Sequence, residues 1–294
     1  MKLATFLAAY CILGTLAVRA DIMISGYSAA ANDRFTDSSQ FIANGYNLSG
    51  IGQNGVGRWA TLISRNVVVS ANHGPPSGPI TFFSSNNPAS SSFSYTVTNS
   101  TRIGTSDIWL GRLNQAVDAS VSNYEFATEV LPGTNPTLAG IYQGAVGLMV
   151  GRSPAARPAH QDQAFGLNRI SGYAQNVSFL GGLTNAFLLI NDAPGDSNFV
   201  PFEALVQGGD SGAPMFVATS ATSLRLLGIN SFLFSDSTTG LPIGSGVSYL
   251  GSSAQQVQNF ISVSAVPEPN SIFLVVIAAA AFFGRSKIKL KTNK

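Results

Sequence analysis

Three side chains scattered along the chain could together carry out acyl transfer: Ser211, His73 and Asp107. Ser211 stands in Gly208-Gly209-Asp210-Ser211-Gly212-Ala213-Pro214, where glycines crowd about a single hydroxyl. Glycine permits a tight turn at positive φ and lets a substrate carbonyl approach backbone N–H groups that a Cβ would shield. The N–H groups of Gly209 and Ser211 are the expected oxyanion donors. A serine hydroxyl is a poor nucleophile near neutral pH and needs a base within hydrogen-bond reach. His73 is one of only two histidines, so the choice of base is nearly forced. The other, His160, lies in the polar run Arg157-Pro158-Ala159-His160-Gln161-Asp162 and reads as a solvated loop residue. Asp107 would fix the imidazole tautomer and stabilise its charged form. Plainer readings exist for each: Ser211 as an ordinary turn serine, Asp107 as the residue that opens a strand.

These residues need elements to position them, and the sequence offers strands. Short apolar or alternating runs are separated by Gly, Pro, Asn and Ser clusters, with no internal repeat and no long helix in the central part. Strands are predicted at 57–63, 66–70, 80–84, 92–98, 108–113, 146–150, 186–190, 215–218, 224–234 and 246–250, with a closing helix over 254–261. Pro132-Gly133 and Asn135-Pro136 break periodic structure and place a linker over 132–144. His73 and Asp107 then belong to the first half and Ser211 to the second. Only a cleft between two packed bodies could unite them.

The segment Gly209-Asp210-Ser211-Gly212-Ala213-Pro214 resembles the nucleophile motif of trypsin-like serine proteases of the chymotrypsin fold. Val67-Val68-Val69-Ser70-Ala71-Asn72-His73-Gly74 is similar to that family's histidine motif, an apolar strand followed by small residues and His. Ser106-Asp107-Ile108-Trp109-Leu110-Gly111-Arg112-Leu113 is similar to its aspartate motif, and the order His, Asp, Ser is the one the family uses. The resemblance spans about residues 57–262. It implies an all-β fold of two six-stranded antiparallel barrels and a C-terminal helix, the first barrel over about 40–132 and the second over about 144–262. It also implies a serine endopeptidase that needs no cofactor and acts on protein or peptide substrates.

By the same resemblance Leu205, six residues before the nucleophile, lies at the base of the pocket for the P1 side chain. Ser231-Phe232-Leu233 is similar to the strand that pairs with substrate backbone, and Gly246 to the glycine of the opposite pocket wall. Leucine at 205 and 233 implies a small or medium apolar P1 residue rather than Lys or Arg. In the family the aspartate before the nucleophile pairs with a freed N-terminal amine. Ile24-Ser25-Gly26-Tyr27 resembles that terminus, and an internal cation is the other candidate partner for Asp210. The run Asn191-Asp192-Ala193-Pro194-Gly195-Asp196-Ser197-Asn198 offers oxygen ligands but reads first as a polar turn, so no metal is expected.

Composition and the two end segments point to an exported protein. The 294 residues are 45% hydrophobic and only 10% charged, enough apolar chain for a sizeable core. The net charge of +2 rests on Lys2, Arg285, Lys287, Lys289, Lys291 and Lys294; without them the central part carries about −4 and offers no basic surface for nucleic acid. Residues 1–20 read as a secretory signal peptide: Lys2, an apolar stretch over 3–16, and Val18-Arg19-Ala20 before a cleavage that leaves Asp21 first. The single cysteine, Cys11, lies inside it, so the exported domain, 21–262, would hold no thiol and no disulfide.

Over 263–294, Pro267-Glu268-Pro269 precedes an apolar run at 272–283 and a basic tail at 285–294. This pattern resembles the PEP-CTERM sorting signal of Gram-negative bacteria. Its apolar run is shorter than the ~20 residues that a stable spanning helix prefers. The resemblance implies export across the inner membrane, transient or retained membrane insertion of the C-terminal helix, and processing by a signal peptidase and an exosortase-type enzyme. The destination would be the cell envelope, the extracellular matrix or the medium. Two other functions stand beside the peptidase: a catalytically silent surface or matrix-binding protein of protease fold, and a serine esterase.

Overall fold

The computed structural model describes residues 20–132, 140–155 and 157–264. The signal segment before Ala20, most of the expected linker and the sorting segment from 265 onward lie outside the described residues. A short strand β1 (Met23–Ile24) and one helical turn α1 (Ala29–Asn32) open the chain. The first sheet follows: β2 (Ile51–Asn54), β3 (Trp59–Leu62), β4 (Val67–Ala71), β5 (Ile80–Phe83), β6 (Ser92–Tyr95), β7 (Val97–Arg102) and β8 (Ile108–Leu113). After β9 (Glu125–Phe126) come β10 (Val146–Gly151), β11 (Ala164–Arg169), β12 (Gly172–Phe179), β13 (Gly182–Ile190), β14 (Ala204–Leu205), β15 (Pro214–Ala218), β16 (Leu224–Ser235) and β17 (Pro242–Tyr249). Helix α2 (Ala254–Ser264) closes the described chain.

The first sheet is antiparallel in the order β6-β5-β2-β3-β4-β8-β7. Its two outer strands, β6 and β7, are consecutive and separated only by Thr96, so one bent ribbon returns the sheet on itself. The second runs β11-β10-β15-β16-β17-β13-β12, and its outer strands β11 and β12 are separated only by Ile170 and Ser171. Counted as ribbons, each barrel has six strands, as the sequence implied. The short β9 adds a parallel pairing to β16, Arg225 opposite Glu125, and ties the end of the first half to the second barrel.

Burial follows the two-residue period of a strand, with both faces of several strands covered. In β4, Val68 points into the first barrel with Leu62, Phe82 and Trp109, while Val67, Val69 and Ala71 face the junction between barrels. In β10, Met149 points into the second barrel with Tyr173, Phe187 and Tyr249, while Leu148 and Val150 face that junction. Val67, Val69, Leu110, Val150, Phe216 and Ile229 are all fully buried there. Each such side chain contributes about 1.5–3 kcal/mol by leaving water, so the junction is a core in its own right. Helix α2 lays Val257 on the same core, and Asn66 Nδ2 donates to the Ser264 carbonyl at 2.6 Å, tying the end of this helix to the first barrel. Among the described residues no helix is long and apolar enough to cross a membrane.

Candidate active site

His73 and Asp107 meet because β4 and β8 are paired in register. Ala71 lies opposite Ile108, and the next step along the ladder is the bond from the Asn72 N–H to the Asp107 carbonyl at 2.9 Å. The Asp107 carboxylate, 5% exposed, then grips His73 twice. It accepts from the backbone N–H at 3.0 Å, and it lies 2.8 and 3.0 Å from Nδ1 of the ring. A carboxylate acceptor keeps the proton on Nδ1 and leaves the Nε2 lone pair free to accept one. His160 is elsewhere: its Nδ1 lies 2.9 Å from the Gln53 carbonyl, at a positive φ of 69°.

Ser211 comes from the other barrel, in the turn between β14 and β15. Gly209 at φ 109° and Gly212 at φ 86° flank it, conformations that favour glycine. A Cβ on Gly212 would fall 2.4 Å from Ser70 Oγ and 2.9 Å from the Ala71 nitrogen. The nucleophile turn therefore rests directly on the end of β4, just before His73. Hydrogen bonding in the turn alternates. The Asp210 N–H donates to the Gln207 carbonyl at 3.0 Å and the Gly212 N–H to the Asn230 carbonyl at 2.8 Å. The N–H groups of Gly209 and Ser211 donate to no acceptor among the described residues, and no hydrogen bond joins Ser211 Oγ to His73. Behind the turn, the indole N–H of the buried Trp59 donates to the Gly209 carbonyl at 3.1 Å.

Asp210 is fully buried beneath this turn. Its carboxylate accepts the N–H of Arg152 at 2.7 Å and of Gln207 at 2.8 Å. Burial pushes its pKa up to about 8; those two bonds and the Arg152 charge oppose the rise, and the nearby Asp21 adds to it. The Arg152 guanidinium itself pairs with Asp162 at 3.1 Å. Asp21 and Ile22, not Ile24, are the N-terminal residues beside Asp210. A Cβ on Gly151 would meet both the Ile22 Cβ at 2.6 Å and the Asp210 carboxyl carbon at 2.8 Å, whereas Ile24 pairs with Ala204 in β1.

Leu205 is buried on β14 opposite Met23. The Ser231 hydroxyl lies 2.7 Å from that of Ser248, which in turn lies 2.9 Å from Thr184 Oγ1, a buried hydroxyl chain across three strands. Phe232 faces Gly246 across the β16–β17 ladder, and a Cβ on Gly246 would come within 2.2 Å of its ring. Leu233 packs against the core of the second barrel. Strand β16 is paired with β15 only as far as Ile229, so residues 231–235 keep one edge without a neighbouring strand among the described residues. Two residues at the site carry no signal in the sequence reading: Trp59, and Phe179, whose ring stands edge-on to the His73 imidazole at 5.2 Å. The dipeptide Leu180-Gly181 could have marked a hairpin turn beside Phe179. Nothing local could have said that the hairpin reaches the other barrel.

No protein-family model and no curated protein matches the chain. Solved structures that resemble it include a mutant of human heparin binding protein (CAP37), with 13% identity over 76% of this chain and 94% of that one and a TM-score of 0.49. The active form of the Rv3671c protease from M. tuberculosis shares 15% identity over 68% of this chain and 72% of its own, with a TM-score of 0.42. An inactive mutant form of Rv3671c shares 15% over 76% and 91%, with a TM-score of 0.45.

Proposed function

We propose that this chain is an exported serine endopeptidase in which Ser211, His73 and Asp107 act as one unit. The observation that carries the reading is the seat of Gly212 on Ser70 and Ala71. It brings the serine turn of one barrel to a histidine in the other whose Nδ1 is already held by a buried carboxylate. His73 Nε2 takes the Ser211 proton as Oγ attacks the scissile carbonyl. The N–H groups of Gly209 and Ser211 receive the oxyanion, and their lack of partners leaves them available for it. His73 then protonates the leaving amine, and water repeats the sequence on the acyl-enzyme. Catalytic hydrogen bonds of this kind are often loose before substrate binds and tighten in the complex.

Substrate backbone joins the open edge of β16 at 231–235 by strand addition. The apolar residues at the positions that the resemblance gives to the P1 pocket, Leu205 and Leu233, favour a small or medium apolar P1 side chain such as Ala, Val or Leu. The amino-terminal signal and the Pro267-Glu268-Pro269 tail support export from a Gram-negative-type cell. Hydrolysis of a peptide library by the protein and by Ser211→Ala tests the proposal. Cleavage after apolar residues that vanishes in the variant supports it; equal turnover by both proteins removes Ser211 from the mechanism. Cleavage after Lys or Arg would instead show that the pocket residues are misassigned.

A further inference from the structure

The hairpin of β12 and β13 crosses from the second barrel to the first. Its turn is Leu180-Gly181, with φ of 44° and 75°, the all-positive geometry of a tight two-residue hairpin. On the far side the Leu183 N–H donates to the Thr105 carbonyl at 3.1 Å, in the loop that leads into Asp107. Gly182 lies so close to Arg102 and Thr105 that no Cβ fits there. The crossing is thus anchored by a hydrogen bond and by a position that only glycine can fill. It carries Phe179 to a point between two site elements, with its ring centre 5.2 Å from the His73 imidazole and 5.4 Å from the Phe232 ring. Both separations are those of rings in contact, and leave no room for a further side chain between them.

We infer that Phe179 roofs the acyl side of the cleft and makes the enzyme select a small side chain, Gly or Ala, at the substrate residue just before P1. The inference rests on the endopeptidase reading above, because it needs substrate laid along the open edge of β16. Successive side chains of such a strand point to opposite faces. With the P1 side chain directed toward Leu205 and Leu233, the preceding one is directed toward His73, where Phe179 stands. A branched or aromatic group there must displace the ring, and with it a hairpin pinned at Thr105. The expected discrimination is about tenfold to hundredfold in kcat/KM, the size of a typical overpacking penalty.

The test is a series of peptides that differ only at that residue (Gly, Ala, Val, Leu, Phe), measured on the protein and on Phe179→Ala. The readout is the Leu-to-Ala ratio within each protein, so a general loss of activity cancels. The same ratio is measured as Kd on the Ser211→Ala protein with and without Phe179→Ala. The inference predicts strong preference for Gly and Ala with Phe179 present, and a ratio approaching one without it. A protein that takes Leu as readily as Ala, or a ratio that Phe179→Ala leaves unchanged, overturns it. Complete absence of hydrolysis would count against the proposed function instead, and the Kd ratios would then decide this inference by themselves.

Discussion

Replacing Trp59 by Phe isolates one contact that shapes the oxyanion donors. The indole N–H reaches the Gly209 carbonyl at 3.1 Å, and that carbonyl belongs to the peptide lying between the two free N–H groups of Gly209 and Ser211. Phenylalanine keeps most of the buried ring and removes the donor. A hydrogen bond of this type is worth about 1 kcal/mol net. Removing an oxyanion donor outright costs about 10²–10³ in kcat. Loosening both donors by one supporting bond should cost less: about 1 kcal/mol, or close to fivefold in kcat. KM should move little, because the indole lies behind the turn, buried away from the cleft. A packing loss will also lower stability by about 1–2 kcal/mol, which urea unfolding measures separately. The assay is steady-state hydrolysis of a short apolar peptide amide by both proteins. An unchanged kcat with the stability loss present would refute the argument that this bond sets the donors.

Asp107→Asn should fold, because its side-chain oxygen can still accept the His73 N–H, but should lose about 10⁴ in kcat as the ring is driven to the wrong tautomer. A loss of less than tenfold would remove Asp107 from the mechanism. Asp210 makes stability depend on pH in a defined direction. Its folded pKa is raised from 3.8 to about 8, so its contribution is full below about 4 and is lost as pH rises from there through about 8, the range over which the unfolded state is ionised ahead of the folded one. Asp210→Asn should flatten that fall, seen as urea midpoints at pH 5 and pH 8 that lie closer together than in the parent; parallel shifts would contradict it. A protein that begins with a free amine at Asp21 should lose the same slope, since a cation beside the carboxylate favours its ionised form. An unaltered slope would place the amine elsewhere.

Much of this arrangement was legible in the sequence. The strand 108–113 is observed with the same ends, and β4, β5, β10, β15 and β16 fall within a residue of their expected bounds. These strands are covered by hydrophobic neighbours, so local hydropathy reports them. The strand β2 was not foreseen, because Gly52, Gln53 and Asn54 look like a loop. In the fold Gln53 Nε2 donates to the Asp162 carbonyl at 3.1 Å and Asn54 Nδ2 to the Ser77 carbonyl at 2.7 Å, so both side-chain amides find acceptors distant in sequence. Strand β12 was missed for another reason: Asn176 at φ 53° and the register shift between Ala174 and Val177 interrupt its alternation.

Arg34 is a further case. It is 1% exposed, its pKa is lowered to about 10 by burial, and it is satisfied by Gln163, Asn86 and the Ser85 carbonyl rather than by an acid. No composition argument places a cation there. At the site, the motifs about His73, Asp107 and Ser211 could be read one by one, while the contacts of Trp59 and Phe179 depend on how two barrels dock.

The most direct trial of the whole account is mass mapping after reaction with a fluorophosphonate, on the protein and on His73→Ala. Phosphonylation confined to the peptide containing Ser211, and lost when the imidazole is removed, is the predicted result. Labelling spread over other serines, or undiminished without His73, would contradict the claim that the two barrels assemble an activated hydroxyl.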